Sequence, residues 1–500
     1  MRTLLAGIAA LALAVPASAQ GLEDEVFYHI FTRSMRDSNG DAQGDLKGIE
    51  QSLPYLQRLG ATSILLTPLY PSPFYHNYFA SSFDGVDREF GTMADYRRLV
   101  RAIHARGMKI YLDQEFQYVS YDHPWFKSAL GHPESPYSDF LIFHGPNNTQ
   151  PESGVFNITI AKRFPGEQTG ITTVNLNSPK VRAWASDYLL GWMDPNRDGD
   201  FSDGVDGYRI DHMMDDLDNK HLLTGLFDSF WKPIFARLRS ANPKVRIVAE
   251  QWDWGDGGDF LRRGDVDAAF AFPLTGAIRS FDKRKMVAAI EMLERAIPRG
   301  KHELVFVENH DMGRIASDPG MTPEKLRTAA TLMLALKGTP SIYYGQELGM
   351  SGTPRDEYKS DEREIGMREA FRWSAKVEAP GQANWYKGPK SYWTQRFAHD
   401  RDGVSVAEED RDPKSLLNHY RQLLKIRAAH KALRSGDQRV LPAEGGILAV
   451  ERNGGGERLL IVANLSNKAA DHPVAGVDLL TGKTVGKLHL EPFQATIVQR

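Results

Sequence analysis

The stretch that decides the fold is residues 206–211, DGYRID, which ends in Asp211. Two later stretches share its form, because Glu250 follows the run VRIVA and Asp311 follows the run ELVFVENH. A short apolar run that ends in a carboxylate is typical of a buried strand with its polar residue at the carboxyl end. Enzymes built on a parallel barrel keep their chemistry at that end. The three acids are therefore predicted to meet at one mouth of a barrel.

The spacing of the acids fits a (β/α)8 barrel. Asp211 and Glu250 are about 39 residues apart, and Glu250 and Asp311 are about 61 residues apart. One strand–helix unit needs at least ~30 residues. The first interval therefore corresponds to one unit and the second to about two. The acids then belong to strands four, five and seven. Apolar runs predict the other five strands at residues 26–31, 63–67, 108–113, 266–272 and 341–344.

Two stretches depart from this alternation and define further domains. Residues 114–181 are rich in Pro, Gly, Asn and aromatic side chains without a helical period, and they are too long for an ordinary loop, which indicates an inserted domain or a disordered stretch. The runs IFH and FNITI favour the insert. In residues 436–500, apolar runs flank an Asn-Gly-Gly-Gly turn, which predicts an antiparallel β-sandwich. The barrel then comprises residues 20–113 and 182–435.

The first 19 residues are predicted to be a signal peptide. Arg2 supplies the positive charge, residues 4–15 are apolar, and Ala-Ser-Ala at 17–19 is a small-residue cleavage site. The apolar run is too short to span a bilayer, so no membrane is expected for the mature chain. The chain contains no cysteine, which argues against a lipid anchor and against disulfides. A periplasmic or secreted protein is expected.

The bulk composition limits the kinds of partner. Of the 500 residues, 41% are hydrophobic and 25% are charged, so the chain can bury a large core. The formal net charge of -3 offers no basic footprint, and nucleic acid is not expected as a partner. The oligomeric state does not follow from the sequence.

Six stretches in order resemble the α-amylase family, glycoside hydrolase family 13. Besides DGYRID, VAEQW and FVENHD, they are the long run GDLKGIEQSLPYLQRLGATSILLTPLYPSP at 44–73, DREFGT at 87–92 and GTPSIYYGQELGM at 338–350. The resemblance covers nearly the whole mature chain and lies between oligosaccharide-acting glucosidases and neopullulanase or cyclomaltodextrinase types. It implies a retaining α-glucan hydrolase or transferase on a barrel with an inserted domain B and a C-terminal sandwich.

The resemblance assigns roles to the three acids. Retention of configuration needs a carboxylate that attacks the anomeric carbon and a carboxylic acid ~5–5.5 Å away that protonates the leaving oxygen. Asp211 is then the nucleophile, Glu250 the general acid/base and Asp311 the transition-state stabiliser. Glu250 must hold its proton, which requires a pKa raised by an apolar wall and nearby negative charge. Arg209, on the same strand face as Asp211, can keep that acid ionised by pairing with it.

Further side chains are carried over as substrate contacts. His310 resembles the family's hydroxyl-binding histidine, and Tyr78 stands where the family stacks an aromatic ring on the sugar. The family's Asn-His pair after strand three is replaced by Gln117 and Tyr118. The usual histidine contact to the primary hydroxyl is therefore missing, and we expect Tyr118 to replace it. His212, directly after the nucleophile, is a further candidate contact that does not define linkage specificity.

Two acidic loops are candidate calcium sites. The first, DSNGDAQGD, supplies Asp37, Asn39, Asp41, the Gln43 carbonyl and Asp45, the oxygen donors that calcium prefers. The second supplies Asp194, Asn196, Asp198 and Asp200. Its twelfth position is Val205 instead of the Glu of an EF-hand, so a solvated turn is the alternative there. The calcium that many amylases hold between barrel and insert uses residues replaced here by Gln117 and Asp215, which weakens the prediction for that site.

An aromatic group after strand eight permits two interpretations, a sugar subsite at the mouth or core beneath a long loop. Its members are Trp373, Trp385, Tyr386, Tyr392 and Trp393.

The sequence therefore predicts an exported retaining α-glucosidic hydrolase acting on α-1,4-glucans or maltodextrins, with calcium and no organic cofactor. The alternatives are a glucanotransferase or oligo-α-1,6-glucosidase that uses the same site, and a non-catalytic glucan-binding homologue. Retention of all three acids favours an enzyme.

Overall fold

The computed structural model describes residues 21–388 and 392–500 of the 500-residue chain. The predicted signal peptide lies outside the described residues and stays a prediction. Eight parallel strands close a barrel in which each strand pairs with its neighbours in sequence and the last pairs with the first. They are β1 Phe27–Ile30, β2 Ser63–Leu66, β3 Lys109–Gln114, β4 Gly207–Met213, β5 Arg246–Gln251, β6 Ala268–Phe270, β7 His302–Val305 and β8 Thr339–Tyr343. The predicted barrel is confirmed.

The helices of the described residues alternate with these strands or lie in the loops and the insert. The α-helices are Thr32–Met35, Leu46–Leu59, Met93–His104, Pro124–Ala129, Pro179–Met193, Lys232–Ala241, Gly258–Arg263, Phe272–Ser280, Lys283–Ala296, Pro323–Ala335, Val406–Glu409, Leu416–Ala429 and Lys431–Ser435. A π-helical turn, Phe227–Trp231, leads into the sixth of them. The 3-10 turns are Leu22–Asp24, Ser138–Phe140, Pro146–Asn148, Val155–Asn157, Phe201–Asp203, Leu217–Asn219, Ile315–Ser317, Gln346–Leu348, Asp361–Met367 and Tyr392–Gln395. None of these helices combines the length and the hydrophobicity that crossing a bilayer requires.

Local sequence explains where the first barrel helices begin and end. Asp45 caps helix Leu46–Leu59 by accepting a hydrogen bond from Gly48 N, and Gly60 ends it in the left-handed conformation. Thr92 and Asp95 form a reciprocal capping box at the start of Met93–His104. The apolar faces of both helices pack on the barrel in the main hydrophobic cluster.

The segment between β3 and helix Pro179–Met193 folds into small sheets over the mouth of the barrel. Strand Glu167–Thr173 pairs in antiparallel fashion with Tyr118–Ser120 on one side and with Ile160–Arg163 on the other. A two-stranded ladder joins Phe143–His144 to Gln150–Pro151. A bridge between Ala80 and Val119 ties the insert to the loop after β2.

The C-terminal strands form one antiparallel sheet with two buried faces. The strands are β9 Asp437–Leu441, β10 Ile447–Gly454, β11 Glu457–Asn464, β12 Ala470–Asp478, β13 Thr484–Leu490 and β14 Ala495–Gln499, in the order β9-β10-β11-β14-β12-β13. Alternate residues such as Leu448 and Ile461 join the main cluster of the barrel. The opposite face, with Val462 and Leu488, forms a separate hydrophobic cluster.

A buried ion pair supports the loop that carries the third acid. Glu308 and Arg314 are both fully buried, with Oε1 and Nη1 3.0 Å apart. The second oxygen of Glu308 accepts a hydrogen bond from Ile315 N at 2.7 Å, and Arg314 donates to Tyr344 O at 2.8 Å. Glu308 and Arg314 flank Asp311 in the segment after β7, and Arg314 connects this segment to the one after β8.

We expect Glu308→Ala to destabilise the fold by about 3–5 kcal/mol, because it leaves the charge of Arg314 buried without a partner. Urea unfolding followed by circular dichroism measures this change. Asp259→Ala is the matched control, since its partner Arg263 lies on an exposed helix face and such pairs contribute about 0.5 kcal/mol or less. Equal losses in the two variants would contradict the role given to the buried pair.

Candidate active site

The two predicted catalytic acids of β4 and β5 share one guanidinium. Arg209, with 1% of its side chain exposed, places Nη1 2.5 Å from Asp211 Oδ1 and Nη2 2.7 Å from Glu250 Oε2. A single planar group that reaches both carboxylates holds them close together across the barrel mouth. The arrangement fits a pair of carboxyl groups that act on the two sides of one bond.

The backbone is irregular where these acids stand. The pairing of β4 with β5 shifts register between Ala249 and Gln251, which is the position of Glu250. His212, directly after Asp211, has φ 43°, the left-handed region that residues other than glycine seldom adopt. Bulges and strained residues re-aim side chains next to functional sites.

Burial controls the protonation of Glu250. The pKa of its carboxyl is raised well above the usual range by burial, and the charges of Asp211 and Asp311 add to this while Arg209 opposes it. Asp211 remains partly open, with 17% of its side chain exposed. One carboxyl is thus biased toward its protonated form beside another that is paired with a cation, the asymmetry that acid and nucleophile roles require.

A fourth acid, Asp113 at the end of β3, completes the pairing of Arg209. Both of its oxygens accept hydrogen bonds from Arg209 Nη1 at 2.8 Å, and Oδ2 also accepts from Tyr78 Oη at 2.7 Å. Burial raises the pKa of Asp113 to about 7, with Arg209 lowering it and Asp211 raising it. Asp113 ends an apolar strand just as Asp211 does, so this signal could have identified it from the sequence.

Tyr78, His310 and Asp311 form a connected group beside these acids. Tyr78 Oη lies 2.7 Å from His310 Nε2, and that nitrogen lies 3.1 Å from Asp311 Oδ2. The pKa of His310 is lowered well below its usual range by burial, with the charges of Arg209 and Arg368 contributing. A neutral imidazole therefore faces Asp311, and 36% of that acid's side chain is exposed in the cavity.

Arg368 is a site residue that the sequence analysis missed. This buried guanidinium donates from Nε to His310 O at 2.9 Å and from Nη1 to Tyr75 Oη at 2.9 Å, and its Nη2 lies 3.1 Å from Asp311 Oδ1. It thus gives Asp311 a cationic partner. Arg368 also pairs with Glu364, four residues earlier, at 2.8 Å. No local pattern distinguishes it as a site residue, because the site residues that it contacts lie 57 residues or more away in the chain.

The loop after β8 supplies another wall. Asp361 accepts a hydrogen bond from Phe164 N at 2.5 Å, which links this loop to the insert. Burial raises the pKa of Asp361 to about 7. Its Oδ2 lies 3.9 Å from Nε2 of His76, whose own pKa is lowered well below its usual range by burial.

These groups open into a cavity of about 960 Å³. The predicted site residues Tyr78, Tyr118, Asp211, His212, Glu250, His310 and Asp311 all line it. Its other walls are Phe74, His76, Phe79, Val155, Phe156, Ile158, Ile160, Ala161, Lys162, Trp252, Trp254, Asp356, Tyr358, Lys359, Ser360, Asp361, Arg363, Glu364 and Arg368. A volume of this size accommodates several sugar units.

The residues that replace the family's Asn-His pair are both engaged by protein groups. Gln117 Nε2 donates to Asp211 O at 2.5 Å and to His212 O at 3.3 Å, so this side chain braces the end of β4. Tyr118 Oη, which we expected to contact the substrate, donates to Asp218 Oδ1 at 2.8 Å. His212 Nε2 lies 3.1 Å from the same oxygen. Tyr118 therefore lines the cavity with its hydroxyl already bonded.

A lysine joins the insert to the barrel near this point. Lys220 Nζ lies 2.9 Å from Glu152 Oε1, 3.5 Å from Asp218 Oδ2 and 3.3 Å from the carbonyls of Ser153 and Gly154. The ammonium thus provides a fixed cation between the two parts of the chain. Asp215, which replaces a family calcium ligand, pairs instead with Arg263 and accepts from Phe227 N.

Both candidate calcium loops turn their carboxylates onto their own backbone. Asp37 accepts from Gly40 N at 2.7 Å and from Ala42 N at 2.9 Å, and Asp194 accepts from Gly199 N at 2.9 Å. Five further side chains each accept a hydrogen bond from the backbone N two residues later, namely Asn39, Asp41, Asn196, Asp198 and Asp200. Asp45 accepts from Ser38 N as well as capping its helix, and the side chain of Gln43 accepts from Arg33.

The donor chemistry of these loops fits calcium, because every donor is a hard oxygen. Three acidic or histidine side chains do not converge on a possible metal position anywhere in residues 21–388 or 392–500. Any calcium in either loop would therefore rely on amide and carbonyl oxygens as well.

The five aromatic residues singled out after β8 lie in the core or pack against it. Trp385 stacks on Tyr75 with ring centroids 4.5 Å apart and donates to Ser34 Oγ, and Tyr386 and Tyr392 are fully buried. Trp373 packs on Tyr55 and Phe371 and donates to Met35 O, and Trp393 packs on Tyr386. None of them lines the cavity. Of the two interpretations left open by the sequence, core packing is the one that the structure supports.

Comparison with known proteins agrees with this site. Residues 29–436 match the family model described as α-amylase, catalytic domain. The chain is 30% identical to α-amylase 3 of Dictyoglomus thermophilum over 455 residues, which cover 89% of this chain and 85% of that protein. It is 26% identical to an oligo-1,6-glucosidase of Halalkalibacterium halodurans (91% and 92% covered) and 28% identical to a 4-α-glucanotransferase of Thermotoga maritima (78% and 84% covered).

The crystal structure of an α-amylase from H. orenii superposes with a TM-score of 0.78 at 25% identity and covers 95% of this chain and 99% of that one. The barrel, the insert and the C-terminal sheet thus correspond over nearly the full length of both proteins. With the shared guanidinium, the grouped acids and the matched catalytic domain established, this chain belongs to the α-amylase family of glycosidases.

Proposed function

We propose that this protein is an exported retaining hydrolase that cleaves α-1,4 linkages in maltodextrins by double displacement. Membership of its family makes it a glycoside hydrolase or transferase that acts on α-glucans. The observation that carries the finer proposal is the pairing of Asp211 and Glu250 with one guanidinium. It favours the short carboxyl separation, ~5–5.5 Å, of retaining enzymes over the wider gap that admits a water molecule.

In the first step Asp211 attacks the anomeric carbon while Glu250 gives its proton to the leaving oxygen. Asp211 is paired with the guanidinium of Arg209, and the raised pKa of Glu250 keeps its proton available. The C–O bond to the leaving group breaks, and a glycosyl ester forms on Asp211. The exposed carboxylate of Asp311, held by Arg368, is placed to bind sugar hydroxyls and to stabilise positive charge on the ring.

In the second step Glu250, now ionised, takes a proton from water, which attacks the anomeric carbon and releases Asp211. The product keeps the α-configuration because two inversions occur. Tyr78 and neutral His310 contribute a flat ring and a hydrogen-bonding nitrogen beside Asp311. Transfer of the glycosyl group to a sugar in place of water would use the same intermediate, and the 4-α-glucanotransferase among the relatives represents this alternative. The oligo-1,6-glucosidase represents the second alternative, in which the same site accepts another linkage.

We also propose calcium as a structural ion at the first loop, Asp37 to Asp45. Its support is the resemblance of the loop, its oxygen donors and its closed hydrogen-bonding pattern. An ion there would add rigidity beside Arg33, whose Nε donates to Tyr75 O, between the cavity-lining residues Phe74 and His76. No catalytic step depends on it. The second loop, at Asp194 to Asp200, is the weaker candidate because it is more exposed.

Asp211→Asn is expected to lower kcat/KM on maltoheptaose by about 10⁴-fold or more, because the nucleophile is lost. Timed chromatography of the products measures the rate, and proton NMR of the first products tests for the α-anomer. Asp206→Asn is the control, since this acid lies at the start of the same strand and pairs with His104. A wild-type product of β-configuration would refute the retaining mechanism, and products longer than the substrate would indicate a transferase.

The alkaline limb of kcat/KM should follow Glu250. Activity requires its protonated form, so a raised pKa extends activity to higher pH, and activity falls as Glu250 loses its proton. The charge of Asp311 raises this pKa, and Asp311→Asn is therefore expected to move the alkaline limb to lower pH. The residual activity of that variant, measured across pH, provides the test. An alkaline limb that stays in place or moves to higher pH would show that Glu250 is not the group observed.

Chelation is expected to lower the melting temperature of the wild type by about 2–5 °C, because bound calcium stabilises only the folded state. Differential scanning calorimetry with EDTA and with added calcium measures the shift. Asp41→Ala should abolish the response to calcium, whereas Asp198→Ala, the matched change in the second loop, should retain it. The opposite pattern would assign the ion to the second loop, and an unchanged wild-type melt would remove both sites.

A further inference from the structure

Exposed apolar side chains are concentrated at the mouth of the catalytic cavity. Nine large apolar residues are exposed among the described residues, and five of these line the cavity. The five are Phe156, Ile158, Ile160, Trp252 and Trp254. Scattered apolar residues on a surface need no explanation, but a group of them in one groove indicates a ligand or partner.

Three of the five come from one short segment of the insert, and we call Phe156, Ile158 and Ile160 the insert rim. Phe156 is 78% exposed and Ile160 is 55% exposed. The intervening Asn157 and Thr159 are exposed too but do not line the cavity. The segment therefore turns its apolar side chains toward the cavity and its polar ones away.

Phe156 is held in an unfavourable backbone conformation. Its φ is 53°, in the left-handed region that bulky residues avoid. A large apolar ring that is both exposed and in a strained conformation gains nothing for the stability of the free protein. Strain of this kind concentrates at binding sites, where contact with a ligand can compensate for it.

The insert rim lies near Glu250, the residue that is proposed to protonate the leaving group. The ring of Phe156 contacts the ring of His212, with centroids 6.1 Å apart. His212 N in turn points to Glu250 Oε2 at 3.4 Å. Under the proposed function, Glu250 protonates the leaving oxygen, so the rim lies on the side from which the leaving group departs.

The loop after β8 lines the same mouth with charged side chains. Asp356, Lys359 and Arg363 line it, and Arg363 Nε pairs with Asp356 at 2.8 Å. A bilayer or a broad protein surface laid across the mouth would have to dehydrate these charges, which costs free energy. A narrow ligand can lie along the insert rim without covering them. Isoleucine side chains also lack the flat face on which sugars stack, so they favour a flexible apolar chain over a further sugar.

We propose that the insert rim binds an apolar aglycone, so that this enzyme cleaves α-glucosides of hydrophobic alcohols. The inference rests on the proposed function and extends it to a second substrate class. The bond between the anomeric carbon and the alcohol oxygen breaks, Asp211 forms the ester, and the proton of Glu250 passes to that oxygen to release the alcohol. Water then hydrolyses the ester. The alkyl chain of the departing alcohol lies against Phe156, Ile158 and Ile160.

The test uses α-glucosides and α-maltosides with methyl, butyl, hexyl and octyl groups below the concentrations at which they form micelles. Primary alkyl alcohols are similar leaving groups, so differences in kcat/KM report contacts of the chain and not the chemistry of the bond. Alcohol release is measured by gas chromatography. We expect the octyl compound to exceed the methyl compound by about tenfold or more, as burial of two of the additional methylene groups would produce.

The triple variant Phe156→Ser, Ile158→Ser, Ile160→Ser is expected to reduce the octyl-to-methyl ratio to about one. Leu130→Ser is the matched control and should keep the wild-type ratio, because Leu130 is an exposed apolar residue of the same insert that does not line the cavity. A ratio near one in the wild type, or an unchanged ratio in the triple variant, would overturn the proposal. If the proposal fails in either way but the enzyme still cleaves maltotriose, the proposed function stands. If the enzyme cleaves no α-glucoside at all, both the proposed function and the aglycone site are refuted.

Two other occupants of the rim are tested directly. Analytical ultracentrifugation would reveal a dimer of the wild type that the triple variant loses. Flotation with phosphatidylcholine vesicles would reveal membrane binding that depends on the same residues. Either result would assign the insert rim to a partner surface and overturn its assignment to an aglycone. We expect the same sedimentation for both proteins and no flotation.

Discussion

The contacts of one buried guanidinium determine the arrangement on which the rest of the site depends. Arg209 touches carboxylates from three strands, Asp113, Asp211 and Glu250, with almost no exposure to solvent. A cation in such a position costs several kcal/mol to bury unless its partners are held in good geometry. The closed barrel provides that geometry, because the carboxyl ends of β3, β4 and β5 lie side by side. The charge of Arg209 in turn lets three acids approach one another.

The neighbouring groups extend this pairing across the mouth. Asp113 accepts from Tyr78, Tyr78 contacts His310, and His310 contacts Asp311, which Arg368 pairs from the other side. Polar contacts thus connect the groups on the two sides of the mouth, and such contacts reduce the cost of burying them. Two buried cations, Arg209 and Arg368, therefore hold the four acids Asp113, Asp211, Glu250 and Asp311, and burial raises the pKa of Glu250 among them.

Two parts of the chain outside the regular barrel form much of the mouth. The insert contributes an apolar rim and is tied to the barrel by Lys220 and by Asp361, which accepts a hydrogen bond from Phe164 N. The loop after β8 contributes charges and the cationic partner of Asp311. The grouped acids thus lie in a mouth that carries both apolar and charged side chains. The motifs that carry the three predicted catalytic acids lie on the barrel strands or just after them, whereas these parts of the mouth lie outside the strands.

The sequence by itself determined the barrel, the order of its strands and the three acids at their carboxyl ends, because apolar periodicity and spacing report burial along each strand. The same rule, applied at the end of β3, would have yielded Asp113. Only the tertiary structure decided that Arg368 pairs with Asp311, that the hydroxyl of Tyr118 is bonded to Asp218, and that Trp385 is core and not a subsite. These contacts join side chains from 57 to more than 300 residues apart. Local patterns cannot specify such contacts, since they form only when the barrel closes and the loops pack on one another.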